Sequence, residues 1–434
     1  MRTHLNITLA IAVTLHVWSA AFGYTQPVVL TLETWAGPGT GTRDVIDNIV
    51  AGFHQAQPNI RIEVVVRPDT LEAMVVKLAT GTAADIMMMN GGVVRVRESL
   101  TDLQPYLDKS EIDVSDFLPG TFEPLEGKLY AIPFWADATL LYYNVEMFNA
   151  AGLVDPNDYY RQGIWHWEEA LEVARKLTRD TSGDGETDQW GFAFRDDWWA
   201  SMFARQNGGS LISADGTTYT GNRPEFTDAI QWYADWWLVH GVQNGPKEHL
   251  NHFWSGNRGM TPYGSGGRSW LLNNAKFEWN VAPLFRPRNA PAVERVPGIG
   301  GGTHGAGSGL VIPQSTVNKE AAWTFLEYWM SFDGQSRIAL SQGSLPYRIS
   351  VLQSEFFRET ASPSNFMFAV NEALQVPVET VPRYVPEGDT LNSLFQQAVS
   401  HVSAGRKSAV EAFEEIAGVI QSHLDRIRDQ IIVQ

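Results

Sequence analysis

Between Val28 and Met89 the chain alternates between β-rich runs and helical patterns, and this alternation limits the possible folds more than any other feature. Val28-Val29-Leu30-Thr31-Leu32 is an apolar, β-favouring run, and Trp35-Ala36-Gly37-Pro38-Gly39 ends it in a turn. Val45, Ile49 and Phe53 then share one helical face, which Pro58-Asn59 terminates. Ile60, Ile62, Val64 and Val66 alternate as strand residues do. A second helix runs through Leu71, Val75 and Leu78, and Ala84-Asp85-Ile86-Met87-Met88-Met89 is a further buried strand. Strand, helix, strand, helix, strand predicts an α/β fold with a parallel sheet and right-handed crossovers.

The alternation continues further along the chain. Leu140 to Asn144, Trp190 to Phe194 and Leu310 to Pro313 read as strands. Trp167 to Leu177, Phe226 to His240 and Glu320 to Met330 read as helices. A last long helix from Ser408 carries the stripe Val410, Phe413, Ile416, Ala417, Ile420, Leu424 and Ile427. A chain of 434 residues exceeds one small core, and no long linker divides it, so two lobes that share strands are expected.

Charge and composition exclude several function classes. The formal charge of −17 disfavours nucleic acid and anionic lipid as partners, and also serves solubility. Cysteine is absent, which removes disulfides, thiolate catalysis, cysteine metal sites and lipid attachment through an N-terminal cysteine. Arg2 and His4, the apolar run Leu5 to Trp18, and the small residues Ser19, Ala20, Ala21 and Gly23 predict a secretory signal peptide over residues 1–25, the alternative being an uncleaved anchor.

Enzyme signatures are sparse. No G-x-S-x-G, H-E-x-x-H or G-x-x-x-x-G-K-[ST] motif is present. Gly300 to Gly305 matches G-x-G-x-x-G, but it precedes a strand instead of joining a strand to a helix, so it reads as a loop. Asp180, Ser182, Asp184, Gly185, Glu186 and Asp188 resemble the first part of a calcium loop, with Gly191 where the final glutamate belongs; Asp180, Asp184 and Asp188 are the weak metal candidates, against a hydrated acidic turn. No cofactor is expected.

Aromatic residues carry the strongest functional signal. Trp35, Trp135, Trp165, Trp198, Trp199, Trp254 and Trp270, among 16 tryptophans, lie in loops or at strand ends. Flat indoles suit the C–H faces of a sugar ring, and neighbouring carboxylates and arginines suit its hydroxyls. Trp135 beside Asp137, and Trp198-Trp199 behind Asp196-Asp197, combine the two; for any single tryptophan the alternative is core packing. Trp232, Trp236, Trp237, Trp323 and Trp329 are assigned to packing. Asp137 has the further alternative of one half of a glycosidase carboxylate pair.

Six stretches, taken in order, carry a family resemblance: Gln57 to Glu63, Gly81 to Ile86, Glu126 to Pro133, Leu141 to Asn144 with Met147-Phe148 and Ala151-Gly152-Leu153, Trp167 to Ala170, and Glu320 to Leu326. The chain resembles the extracellular solute-binding proteins of ABC importers, in the carbohydrate branch that includes maltose-binding protein. Ala84 and His166 depart from the family pattern, which often has proline and threonine there.

The resemblance implies an α/β, two-lobed periplasmic-binding-protein fold of type II, with a hinge of crossing strands between lobes. Residues 26–131 and 265–332 would form lobe 1, and 132–264 and 333–434 lobe 2. Hinge strands would fall at Ile132 to Ala136, Thr261 to Gly264 and Asp333 to Arg337. Ligand groups would be Trp35, Asn90, Gly91, Trp135, Asp137, Trp198, Trp199, Tyr263, Gly266, Arg268, His304, Arg348 and Tyr384. The expected function is capture of a mono- or oligosaccharide by a monomeric, non-catalytic periplasmic protein that delivers it to an inner-membrane ABC permease; another polar solute (a polyol phosphate, polyamine or peptide) and a glycoside hydrolase are the alternatives.

Overall fold

The first sheet arises directly from the period-two and helical patterns of its sequence. A computed structural model describes residues 27–67, 70–122, 124–194, 198–246, 251–289, 308–340, 344–360, 362–374 and 388–428. Its strands are β1 (Val28–Thr34), β2 (Ile60–Val66), β3 (Ile86–Met89), β4 (Thr139–Asn144), β5 (Trp190–Phe192), β6 (Arg258–Gly264), β7 (Trp279–Ala282) and β8 (Gly309–Val311). Among the described residues they form two four-stranded sheets, ordered β2-β1-β3-β8 and β5-β6-β4-β7.

In the first sheet β1 runs parallel to β2 and β3, as the alternation requires, and β8 closes it antiparallel to β3. The Gly41–Ala56 helix covers it, capped by Thr40 and burying Val45, Ile49 and Phe53. The Leu71–Thr80 helix buries Met74 and Leu78; Val75, expected on that face, is exposed. The Lys319–Met330 helix adds Trp323, Phe325 and Trp329 to the same core.

The second sheet is mixed. β4 is antiparallel to both β6 and β7, and β5 is parallel to β6. Its core is largely aromatic: Phe192, Phe194, Phe203, Trp236 and Phe285 are fully buried, with rings 4.5 to 5.9 Å apart for Phe192 against Phe194, Trp236 and Phe285. The helices Pro224–Leu238, Gly388–Ser403 and Ala409–Ile427 pack together beside it. Ser408 closes a capping box with Glu411 at the start of the last helix. Phe413, Ile420, Leu424 and Ile427 of its stripe are buried, whereas Val410 faces solvent.

Several expected boundaries shift. β7 lies in the stretch given to lobe 1, yet it pairs along β4 in the second sheet. The Phe332–Leu340 helix lies in the stretch given to lobe 2, yet it packs on the Gly41–Ala56 helix, where the Arg337 guanidinium reaches Asn48 Oδ1 at 3.2 Å. Asp333 to Arg337 is therefore helical and not a hinge strand. Thr261 to Gly264 is the end of β6, paired throughout with β4. The segment from Ile132 does cross between sheets: Ile132 exchanges backbone bonds with Leu310 of β8, Ala136 with Leu345, and β4 begins at Thr139. Residues 1–25 and the Gly300 to Gly305 loop lie outside the described residues. Among those described, no helix is long and apolar enough to cross a membrane.

Candidate functional site

In an open parallel sheet, ligands gather beyond the carboxyl ends of the strands, where side chains and backbone N–H groups converge without steric cover. Trp35 follows β1, and Asn90-Gly91 follow β3, its neighbour in the sheet, so the three sit at one sheet edge. Gly91 has φ +101°, and no atom lies within 4 Å of where a Cβ would stand, so this turn borders open space. Asn90 is exposed.

The crossing segment brings the next group to this edge. Phe134 is buried, and its carbonyl accepts the Trp329 indole N–H at 2.8 Å. That anchor fixes the ring that both neighbouring indoles touch. Phe134 meets Trp35 edge-on at 5.4 Å and Trp135 at 5.4 Å, leaving both indoles partly exposed. Sequence reasoning passed over Phe134, although it stands next to Trp135 and is the residue that joins the two tryptophans.

Two residues on, Asp137 meets the end of β6. Its Oδ1 accepts the Ser265 N–H at 2.6 Å, the Ala138 N–H at 2.9 Å and the Ser265 hydroxyl. Burial pushes its carboxyl above the ordinary carboxylate value, against the pull of the donors from Ser265, Ala138 and Gly266. A methyl group at Gly264 would stand 2.4 Å from Oδ2, so a side chain there would displace the carboxylate. The Tyr142 hydroxyl donates to the carbonyl of Gly264 at 2.9 Å. Through Oδ1, Asp137 thus ties the crossing to the start of the Gly267–Asn274 helix.

A second aromatic set adjoins that helix. Tyr263 is edge-on to Trp254 at 5.9 Å, and Trp254 stacks on Trp270 at 5.3 Å. Tyr263 and Trp270 are part-exposed, while Trp254 is buried beneath them. Gly266 is exposed at the start of the helix.

Other expected ligand groups are placed elsewhere. Trp199 is buried among the aromatic residues of the second core, because the helix from Trp198 turns that face inward. Arg268 is 1% exposed: its Nε donates to the Ser362 carbonyl at 2.5 Å, its guanidinium lies 4.3 Å from the centre of the Phe366 ring, and burial pulls its pKa down to about 10. Arg348 is bound to Asp116 at 2.7 Å and to the Met330 carbonyl at 3.2 Å. Arg268, desolvated, takes the Ser362 carbonyl 94 residues away, and the part-exposed Arg348 pairs with Asp116. Trp165 is buried as well. His304, Tyr384 and the side chain of Trp198 lie outside the described residues.

The calcium-like loop binds to itself. Asp180 accepts the N–H groups of Gly183 at 2.6 Å and Gly185 at 2.7 Å, and Asp188 accepts from Thr181 at 2.8 Å. Those backbone donors hold both carboxyls below their ordinary value. Among the described residues no three His, Asp or Glu side chains stand together as a metal site.

Comparison with known proteins agrees with this layout. Residues 39–336 match the model of the bacterial extracellular solute-binding protein family. A Brucella abortus (strain 2308) protein named as a binding protein is 23% identical over 412 residues, spanning 89% of this chain and 90% of its own. An ABC substrate-binding protein from Listeria monocytogenes, solved with cycloalternan, superposes with a TM-score of 0.73 at 20% identity over 92% of this chain and 100% of that one. UgpB from Mycobacterium tuberculosis, solved with glycerophosphocholine, gives 0.72 at 16% over 93% and 99%. At such identities the likeness shows the fold, that of the two-lobed periplasmic binding proteins.

Proposed function

Because the chain belongs to the bacterial extracellular solute-binding proteins, we propose that it captures a neutral mono- or oligosaccharide between its two lobes and hands it unchanged to an ABC permease. The observation that carries the reading is the pair of part-exposed indoles, Trp35 and Trp135, both in contact with Phe134 where the chain crosses between sheets. Rigid aromatic faces bury large apolar areas at small entropic cost, which suits the C–H face of a pyranose. Lobe closure then follows from tighter binding to the closed form. The Listeria neighbour, solved with cycloalternan, supports the sugar class.

Catalysis is not part of this reading. Asp137 is engaged by Ser265 and Ala138, so it is poorly placed to serve as one of two glycosidic carboxylates. The protein would act in the periplasm, after removal of residues 1–25, as a monomer.

A second reading is a polyol phosphate, in keeping with the Mycobacterium neighbour solved with glycerophosphocholine. It lacks a phosphate clamp from the two arginines expected at the site, since Arg268 and Arg348 are both engaged. Titration calorimetry with a panel of mono- and disaccharides and sn-glycerol-3-phosphate separates the two. The sugar reading expects a Kd near a micromolar, about −8 kcal/mol, for at least one sugar. Binding of the phosphate ester with no heat from any sugar would overturn it, and turnover of chromogenic glycosides would overturn the non-catalytic role.

A further inference from the structure

β1 and β3 lead into the turns that carry Trp35 and Asn90-Gly91, but the pairing between the two strands ends short of both turns. Leu32 pairs with Ile86 and Glu33 with Met87, and the register stops there. Beyond that point one residue spans the gap. Arg67, directly after β2, donates its backbone N–H to the Thr34 carbonyl at 2.9 Å and its Nη2 to the Met88 carbonyl at 2.5 Å. Thr34 immediately precedes Trp35, and Met88 stands two residues before Asn90. We propose that Arg67, held by Glu33, is a positioning residue that sets the spacing of the two turns and so of the ligand groups on them. The inference rests on reading this sheet edge as part of the sugar site.

Burial makes the spacing definite. The Arg67 and Glu33 side chains are 2% and 5% exposed, and Arg67 Nε lies 2.9 Å from Glu33 Oε1 as an ion pair. The same oxygen accepts the Lys77 ammonium at 2.8 Å, which ties in the Leu71–Thr80 helix. A buried pair of this kind adds little net stability over apolar groups of equal volume, because both charges lose their hydration. A guanidinium offers something an apolar group does not: its planar fork has fixed N–H directions, so a carbonyl bonded to it is held at one distance and angle. Glu33 keeps the cation at this depth by supplying the opposite charge.

The turns follow the strand ends closely. Thr34 Oγ1 accepts the Ala36 N–H at 3.1 Å, which closes the Trp35 turn onto the last residue of β1. After β3, Gly92 has φ +78°, and a methyl group there would meet the Leu71 side chain, so the same helix backs the Asn90-Gly91 turn. A shift of either strand end therefore carries its ligand group with it, and a displacement of about 1 Å is enough to loosen a binding constellation.

The test separates positioning from stability in the full mature chain. Glu33→Leu combined with Arg67→Met replaces the ion pair by apolar groups; it should keep the wild-type urea midpoint yet bind the tightest of glucose, maltose and trehalose about tenfold more weakly by calorimetry. Arg67→Lys keeps the charge but loses the fork, and should weaken binding about threefold or more. Lys77→Met removes a part-exposed charge from the same cluster without touching either strand end, and should leave affinity within about twofold. In the sugar-free protein, the backbone amide resonances of Trp35 and Gly91 should broaden or split in both Arg67 variants and not in Lys77→Met. Wild-type affinity in Arg67→Lys, an equal loss in Lys77→Met, or unchanged Trp35 and Gly91 resonances in the Arg67 variants would each overturn the proposal. Arg67→Lys decides it if the apolar pair does not fold. If none of the three sugars binds, it is the sugar reading that fails, and the two resonances still decide whether Arg67 sets the turns.

Discussion

The two aromatic regions of this molecule use the same residue types for opposite purposes. In the second-sheet core, Trp236 lies 4.5 Å from Phe192 and stacks on Phe285 at 5.9 Å with no exposure. At the crossing, Trp35 and Trp135 each touch Phe134 and remain partly exposed. The first arrangement uses all of its apolar area in folding. The second withholds some, which a ligand can then bury. Aromatic content alone says nothing about which of these a ring does; the number of faces already covered decides it.

The largest effect expected from this contrast is Trp236→Ala, which should cost about 3–5 kcal/mol of stability in denaturant unfolding. Ligand affinity should stay unchanged wherever the variant is folded. A loss of affinity without a loss of stability would break the contrast.

Arg268→Met comes next. It keeps much of the apolar stem but leaves the Ser362 carbonyl without its donor, at about 1–3 kcal/mol in the same unfolding measurement. A large affinity loss with unchanged stability would return Arg268 to the ligand site.

Trp135→Ala should do the reverse, weakening sugar binding at least tenfold, more than about 1.4 kcal/mol by calorimetry, with a smaller effect on stability. Wild-type affinity in this variant would remove the crossing indoles from the site.

The smallest effect concerns Asp137. Its folded pKa is raised, so the native state holds the proton more tightly than the unfolded chain does. Its stabilising contribution is complete below the unfolded value of about 4 and is lost as pH rises through the folded value. Comparing the melting temperatures of wild type and Asp137→Asn from about pH 3 to about pH 7 should show wild type losing ground as pH rises through the acid range, then a constant difference. A difference that runs the other way would mean that the donors from Ser265 and Ala138 outweigh burial.

Much of the first sheet was readable because its strands and helices carry complete periods. Ile60 to Val66 alternates, and the helix that buries Val45, Ile49 and Phe53 has its cap residue, Thr40, just before it. The end of β6 was expected only through the resemblance, as a hinge strand, because Pro262 within it obscures the strand pattern. Proline is tolerated there because β5 pairs with β6 only as far as Met260, which leaves that side of Pro262 without a partner strand. β7 is four residues long and shows no usable period.

Sequence by itself determined the fold class, the family and the tryptophan at the crossing, because each rests on local pattern or on order along the chain. Tertiary structure alone decided which polar candidates remain available. Arg268 finds its partner 94 residues away and Arg348 finds Asp116 at a separation of 232. A long charged side chain reaches far enough to have many possible partners, and desolvation makes it take one; which one depends on how distant loops pack, and no period in the sequence records that.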